Sequence, residues 1–280
     1  MNQMRSGFLP STGPLLHFRM PTGAVRVDGG VEEGGEITPF YDPMIAKLIA
    51  HAPTREAAAG TLAGACAAVE VWPVKTNAGF LTRCLDHPDF VSGAVDTAFI
   101  ETRLDQLVPN GEPSAEVLAA AAEAKVRAAG EGPASPWSAL TGFRLNAPAA
   151  RRVTLTVDGR AAPVELTGAA PILPSVQIGS HLVVFDAGQA FAFGAADEGA
   201  GDTSGGGDGA VRSPMPGRIV AVQASTGQAV DRGQPLVVLE AMKMEHILTA
   251  PFDAVVAEIK AEAGGQVSEG AVLVRLDKRG

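Results

Sequence analysis

The feature that most constrains this chain is an internal repeat near its C-terminus. A shift of 37 positions carries Pro214 onto Pro251, Ile219 onto Val256, Val222 onto Ile259, Gly227 onto Gly264 and Val230 onto Val267 without a gap. The same shift brings Gly233 to Gly270, Leu236 to Leu273 and Leu239 to Leu276. Each half reads as strand, Gly turn, short strand, Gly turn, strand. Two such halves predict two interlocked four-stranded sheets related by an approximate twofold, a flattened β-sandwich over 211–278. Between them lies Glu240-Ala241-Met242-Lys243-Met244-Glu245-His246, which puts Met242 and Lys243 at a hairpin tip. Tight hairpins favour Asn-Gly or Asp-Gly because positive φ is costly with a Cβ. Met-Lys breaks that preference, as expected where a side chain serves something other than folding. The equivalent point falls at Gly206 or Gly280, outside the folded unit, so the lysine is expected to face away from the linker and the C-terminus. The bland alternative is a surface lysine beside two gap-filling methionines.

At 280 residues the chain exceeds what one core usually organises, so two or three domains are expected. Asp197 to Ala210 (DEGAGDTSGGGDGA) has nothing to pack, and 198–210 reads as a flexible linker. Its r.m.s. span would be roughly 20 Å, with about 50 Å at full stretch. A softer boundary lies at Pro109 to Pro113, dividing 1–108 from 112–197. Within the first part, Asp42 to His51 suits a strand. Thr54 to Val69 suits a helix with Ala58, Leu62, Cys66 and Val69 on one face, and Asn77 to Leu85 a second helix. In the second part, Ser114 caps an Ala-rich helix ending at Gly130. Short strands follow at 153–157, 162–166, 176–178, 182–185 and 190–193, the first two joined by Asp158-Gly159. A long helix with a small antiparallel barrel or sandwich results, and the chain as a whole is expected to be a multidomain α+β protein.

Composition narrows the function. A net charge of −9 without basic runs argues against a nucleic-acid partner. Cys66 and Cys84 lack CxxC spacing and read as small buried residues rather than a zinc site or disulfide framework. No apolar run of membrane-spanning length occurs, and no secretory or transit segment is visible, so a cytoplasmic location is expected. Asp42, Lys47 and His51 lack a partner set for catalysis. His17, His87 and His181 look isolated, and His246 suits a packing or polar edge role.

Glu240 to His246, preceded by Ser213-Pro214-Met215-Pro216-Gly217, closely resembles the biotinyl domain of biotin-dependent carboxylases. The resemblance implies covalent biotin on Lys243, with Met242 and Met244 as flanking recognition residues and a biotin protein ligase as partner. Lipoylation is the runner-up, since lipoyl domains share the fold but generally carry an acidic residue before the lysine. Lys243 would be an attachment point, neither acid nor base, and no catalytic or metal-binding residue is expected in the chain.

Residues 7–107 resemble the end of the biotin carboxylase C-terminal subdomain through Gly7 to Gly13 (GFLPSTG), Pro39 to Ile49 (PFYDPMIAKLI) and Val74-Lys75-Thr76-Asn77. In that family the ATP-grasp elements that use ATP, Mg2+ and bicarbonate come earlier, so no ATP-dependent carboxylation is expected from this chain alone. Val74 falls where the family lines an adenine pocket, but a lone apolar residue after Pro73 is expected to be structural. The block around Ser135-Pro136-Trp137-Ser138 and Gly142 to Asn146 resembles the domain joining a carboxylase subunit to its carboxyltransferase (beta) partner. Trp137 could anchor that contact or lie in a core. Together with Met-Lys-Met-Glu-His it favours a methylcrotonyl-CoA or geranyl-CoA type over a propionyl-CoA type.

Three functions are therefore expected alternatives. The first is a carboxyl carrier in a hetero-oligomeric acyl-CoA carboxylase, served by a separate biotin carboxylase ATP-grasp module and delivering to the carboxyltransferase subunit. The second is a non-catalytic truncated interaction module. The third is a biotin carrier for a decarboxylase or transcarboxylase.

Overall fold

A computed structural model describes residues 11–40, 42, 44–130, 151–157, 159–166, 170–194, 209–242 and 244–278. Contacts divide the chain into two compact units. One holds Leu15–Gly35 and Ala46–Glu198, the other Asn2–Pro14, Glu36–Ile45 and Gly199–Gly280.

The N-terminal part alternates strands and helices. β1 (Gly13–Arg19) lies between β3 (Glu36–Ile37) and β5 (Glu70–Pro73), while β2 (Arg26–Gly29) pairs antiparallel with β4 (Ala46–Ile49). The strand expected over 42–51 is thus confined to four residues, because its partner offers only a four-residue ladder. α1 (Arg55–Ala67) begins where the Thr54 Oγ1 accepts the Ala57 N–H at 3.2 Å, satisfying a donor that the first turn leaves free. Its buried stripe is Ala59, Ala63 and Cys66, and Val69 lies just beyond its end. α2 (Ala78–Asp86) starts after Asn77 and buries Phe80, Cys84 and Leu85. Three short helices follow: α3 (Pro88–Ser92), α4 (Phe99–Thr102) and α5 (Leu104–Leu107). Both cysteines are free and buried, and burial pushes the Cys84 thiol up from 9.0 to about 11.

α6 (Ala115–Gly130) is capped as its sequence suggests, the Ser114 Oγ accepting the Val117 N–H at 3.2 Å. It packs Val117, Ala120 and Ala121 against Leu155, Leu166, Val184 and Phe193. Those residues come from β6 (Arg151–Val157), β7 (Arg160–Leu166), β9 (His181–Asp186) and β10 (Gln189–Phe193), with β8 (Ser175–Ile178) completing the set. Val157 pairs with Arg160 and Gly159 has φ 74°, the geometry of a two-residue hairpin. Asp158 lies outside the described residues.

The helix against antiparallel strands is as expected, but no closed barrel forms among the described residues. β6–β7 is a two-stranded sheet and β10-β9-β8 a three-stranded one, linked where the Gly194 N–H donates to the Thr156 carbonyl at 3.1 Å. Pro163 within β7 and Pro171 and Pro174 ahead of β8 lack the N–H groups that a closing ladder would use.

Two histidines that look isolated in sequence are built into this unit. His17 Nε2 lies 2.8 Å from Glu70 Oε2, and its ring stacks on Phe185 with centroids 5.0 Å apart. His181 faces Trp72 at 5.6 Å. Gly188 explains how closely its turn approaches the helices: its N–H donates to the Ala67 carbonyl, and a Cβ there would meet the Cys66 carbonyl oxygen at 2.7 Å.

The C-terminal sandwich follows the repeat strand by strand. β12 (Gly217–Val222), β13 (Ala229–Val230) and β14 (Pro235–Ala241) map by 37 residues onto β16 (Ala254–Ile259), β17 (Gln266–Val267) and β18 (Val272–Lys278). β11 (Ala210–Arg212) likewise falls on the end of β15 (Met244–Thr249). One sheet has the order β11-β18-β16-β13, the other β15-β14-β12-β17. Exchanging each strand for its repeat partner converts one order into the other. Hydrogen bonds obey the same rule: Gly227 N–H to the Val256 carbonyl, and Gly264 N–H to the Ile219 carbonyl, are both 2.7 Å. Ile219, Leu236 and Leu239 meet Val256, Leu273 and Leu276 in one core.

Candidate functional site

The candidate site lies where β14 turns into β15. Register pairs run from Val237↔Leu248 to Glu240↔Glu245 and Ala241↔Met244, so the ladder continues up to Ala241 on one side and Met244 on the other. A tight hairpin turn needs positive φ, and Met242 has it, at 49°. A non-glycine residue held there costs about 1–3 kcal/mol. The tip therefore retains a side chain at a position where the backbone alone would favour glycine.

The Ser-Pro-Met-Pro-Gly stretch braces this hairpin. Met215 is buried in the sandwich core, and the Ser213 hydroxyl donates to the Met215 carbonyl at 2.6 Å. Gly217 sits so close to β14 that an added Cβ would lie 2.6 Å from the Glu240 carbonyl oxygen. Only glycine permits that approach. The motif thus packs against the strand that ends in the tip.

Around the tip, Glu240 faces Glu245 across β14–β15 and Arg218 across β12–β14. Two like charges directly opposite are unfavourable for folding, and Arg218 sits beside them in the register as a cation. Met242 is 3 % exposed, whereas Met244 is 45 % exposed. His246 lies opposite Leu239, and its Nε2 is buried without a hydrogen-bond partner among the described residues. Lys243 itself lies outside the described residues, as does Trp137 with its flanking Ser-Pro and Gly-Phe blocks.

Other candidates from the sequence fall elsewhere. Val74 is 4 % exposed and belongs among the buried residues of the first unit. Lys47 pairs across a ladder with Asp28. His51 lines a shallow groove with Arg55, Leu62 and Phe90, which offers apolar walls and no cluster of polar groups. Among the described residues no group of three or more His, Cys, Asp or Glu side chains is placed to hold a metal ion. No described helix is long and apolar enough to cross a membrane. What sequence reading missed is the pairing of His17 with Glu70, 53 positions apart, for which no local signal exists.

Comparison with known proteins covers nearly the whole chain in three consecutive segments. A family model described as the biotin carboxylase C-terminal domain matches residues 1–102. One described as the methylcrotonyl-CoA carboxylase alpha-subunit BT domain matches 114–212, and one described as biotin-requiring enzyme matches 209–276. The chain is 32% identical to the mitochondrial methylcrotonoyl-CoA carboxylase subunit alpha of Dictyostelium discoideum, over 89% of this chain and 43% of the relative. It is 31% identical to the Oryza sativa protein of the same name, over 95% of this chain and 47% of that one. The propionyl-CoA carboxylase alpha chain of Ruegeria pomeroyi is also 31% identical, over 97% and 49% respectively. The chain therefore spans about half the length of these relatives.

Proposed function

We propose that the chain belongs with the alpha subunits of biotin-dependent acyl-CoA carboxylases, a reading that the three family models and the relatives at 31–32% identity support, that Lys243 bears the biotin and that the chain is the enzyme's carboxyl carrier. The observation that carries this reading is the register at the crossing of the repeat, where the turn keeps Met242 at positive φ next to the lysine. A lysine amine on a flexible four-carbon stem is a good acylation target once a ligase presents an activated carboxyl group. Met242 and Met244 frame it as the residues the ligase reads. The donor set fits: this position needs a primary amine on a narrow hairpin and no metal or general base.

When attached, biotin supplies a ureido nitrogen that can hold a carboxyl group and give it up to an acceptor. This chain's own residues do the rest. The sandwich supplies a rigid base, Gly217 and Met215 hold β12 and β14 together below the tip, and the 198–210 stretch serves as a tether. Tethering replaces diffusion between two sites by a high effective concentration. ATP, Mg2+ and bicarbonate would act at a biotin carboxylase ATP-grasp module, and the acceptor acyl-CoA at a carboxyltransferase beta subunit. In this assignment 1–108 belongs to the carboxylase side, 112–197 ties the subunits together, and the protein works in the cytoplasm. The BT-domain match favours methylcrotonyl-CoA as acceptor.

Coexpression with biotin ligase, followed by a streptavidin blot of wild type and Lys243→Ala, tests the attachment. Signal from the wild type and none from the variant is expected; label retained by Lys243→Ala overturns it. Adding the biotinylated chain to a methylcrotonyl-CoA carboxylase depleted of its carrier should restore turnover, and should do so better than for a propionyl-CoA carboxylase depleted in the same way. Inhibition instead would identify a non-catalytic interaction module.

A further inference from the structure

The two residues of a tight hairpin turn have no sheet partners for their N–H groups, so a tip amide normally faces water. Met242 departs from that. Its N–H donates to the Pro39 carbonyl at 3.1 Å, and the residue is 3 % exposed although it is not part of the apolar core of the sandwich. Pro39 follows β3, whose Ile37 is buried at 6 % exposure and paired with Gly13. By sequence Glu36–Ile45 belongs to the stretch resembling a carboxylase domain, yet by contact it groups with Gly199–Gly280 in one compact unit.

We propose that the segment around Pro39 is a docking site for the carrier tip, the Pro39 carbonyl accepting the Met242 amide and covering the methionine beside Lys243. The idea rests on the carrier reading of that hairpin. Proline suits the role because its fixed φ presents the carbonyl with little conformational freedom left to lose. The contact is made by backbone atoms, so it reads the shape of the turn and not the identity of the lysine. Docked, the tip keeps Met242 covered; a ligase that must read Met242 acts on the undocked form. The segment thereby sets which of its visitors the tip can meet.

The test uses the whole 15N-labelled chain with a nitroxide at Phe40→Cys, a position 71 % exposed and next to Pro39. Cys66 and Cys84 are buried, which directs the label to residue 40. Loss of most of the Met242 amide intensity is expected, while the Gly227 amide, beyond the end of β12 away from the tip, keeps its own. Equal intensities at Met242 and Gly227 overturn the docking site. The same measurement on Lys243→Ala should show the same loss, because no side-chain atom of residue 243 is required. A chain that fails to accept biotin yet shows the broadening separates failure of the carrier reading from failure of this one.

Discussion

At the scale of single residues, this chain mixes side chains whose role is local with side chains whose role depends on distant partners. Cys84 is of the second kind. Burial pushes its thiol from 9.0 to about 11, so the native state holds the proton more tightly than the unfolded chain does. The stability this contributes is fully present below pH 9.0 and is lost as pH rises through about 11. The stability of the first unit against denaturant should therefore fall off more steeply over that window in wild type than in Cys84→Ala; parallel profiles would show that the thiol is solvated. Met242 is local by contrast. Its misfit to a turn that prefers glycine is visible from Met242-Lys243 alone, and in the structure that misfit takes the form of a φ of 49°. His17 shows where such reading ends. A histidine in an unremarkable Leu-Leu-His-Phe run becomes the partner of Glu70 and the neighbour of Phe185 only because the chain returns to it after long excursions.

At the scale of elements, the repeat made the sandwich legible almost strand for strand, because apolar residues and turn glycines recur at a fixed spacing and strands need little else. Helix starts were legible for a similar reason: Thr54 and Ser114 carry the hydroxyls that the first turn requires. The closed barrel was not, since closure depends on edge strands meeting, and prolines at those edges remove donors without altering the alternation of apolar residues. The twofold makes a quantitative prediction. Leu236 and Leu273 are 0 % and 1 % exposed and occupy equivalent places. Leu236→Ala and Leu273→Ala should each cost about 2–5 kcal/mol. Their costs should agree within about 1 kcal/mol, comparable to the spread that context gives one chemistry. Hydrogen exchange at the Ile219 and Val256 amides measures both; a loss confined to one variant would show that the two halves are unequal in energy despite their common pattern.

At the scale of the whole molecule, the two units differ in how far their contacts reach along the chain. The first joins α1, α2 and the strands around Phe185 through contacts such as Gly188 with Ala67, so the boundary read at 109–113 marks a change of element type inside one compact body. The second is closed on itself by its interleaved sheets. In the order β11-β18-β16-β13 the inner pair comes from one repeat and the outer pair from the other, and in β15-β14-β12-β17 the roles are reversed. Neither repeat can complete a sheet without its twin. Consequently a chain cut by a site-specific protease between Ala241 and Met244 should still migrate as one particle on native size exclusion and come apart only in denaturant. Two separate native peaks would contradict this. The halves clasp each other like interlaced fingers, so peptide continuity at the tip adds little to their hold, and the point where the chain crosses from one half to the other is left at liberty to carry chemistry.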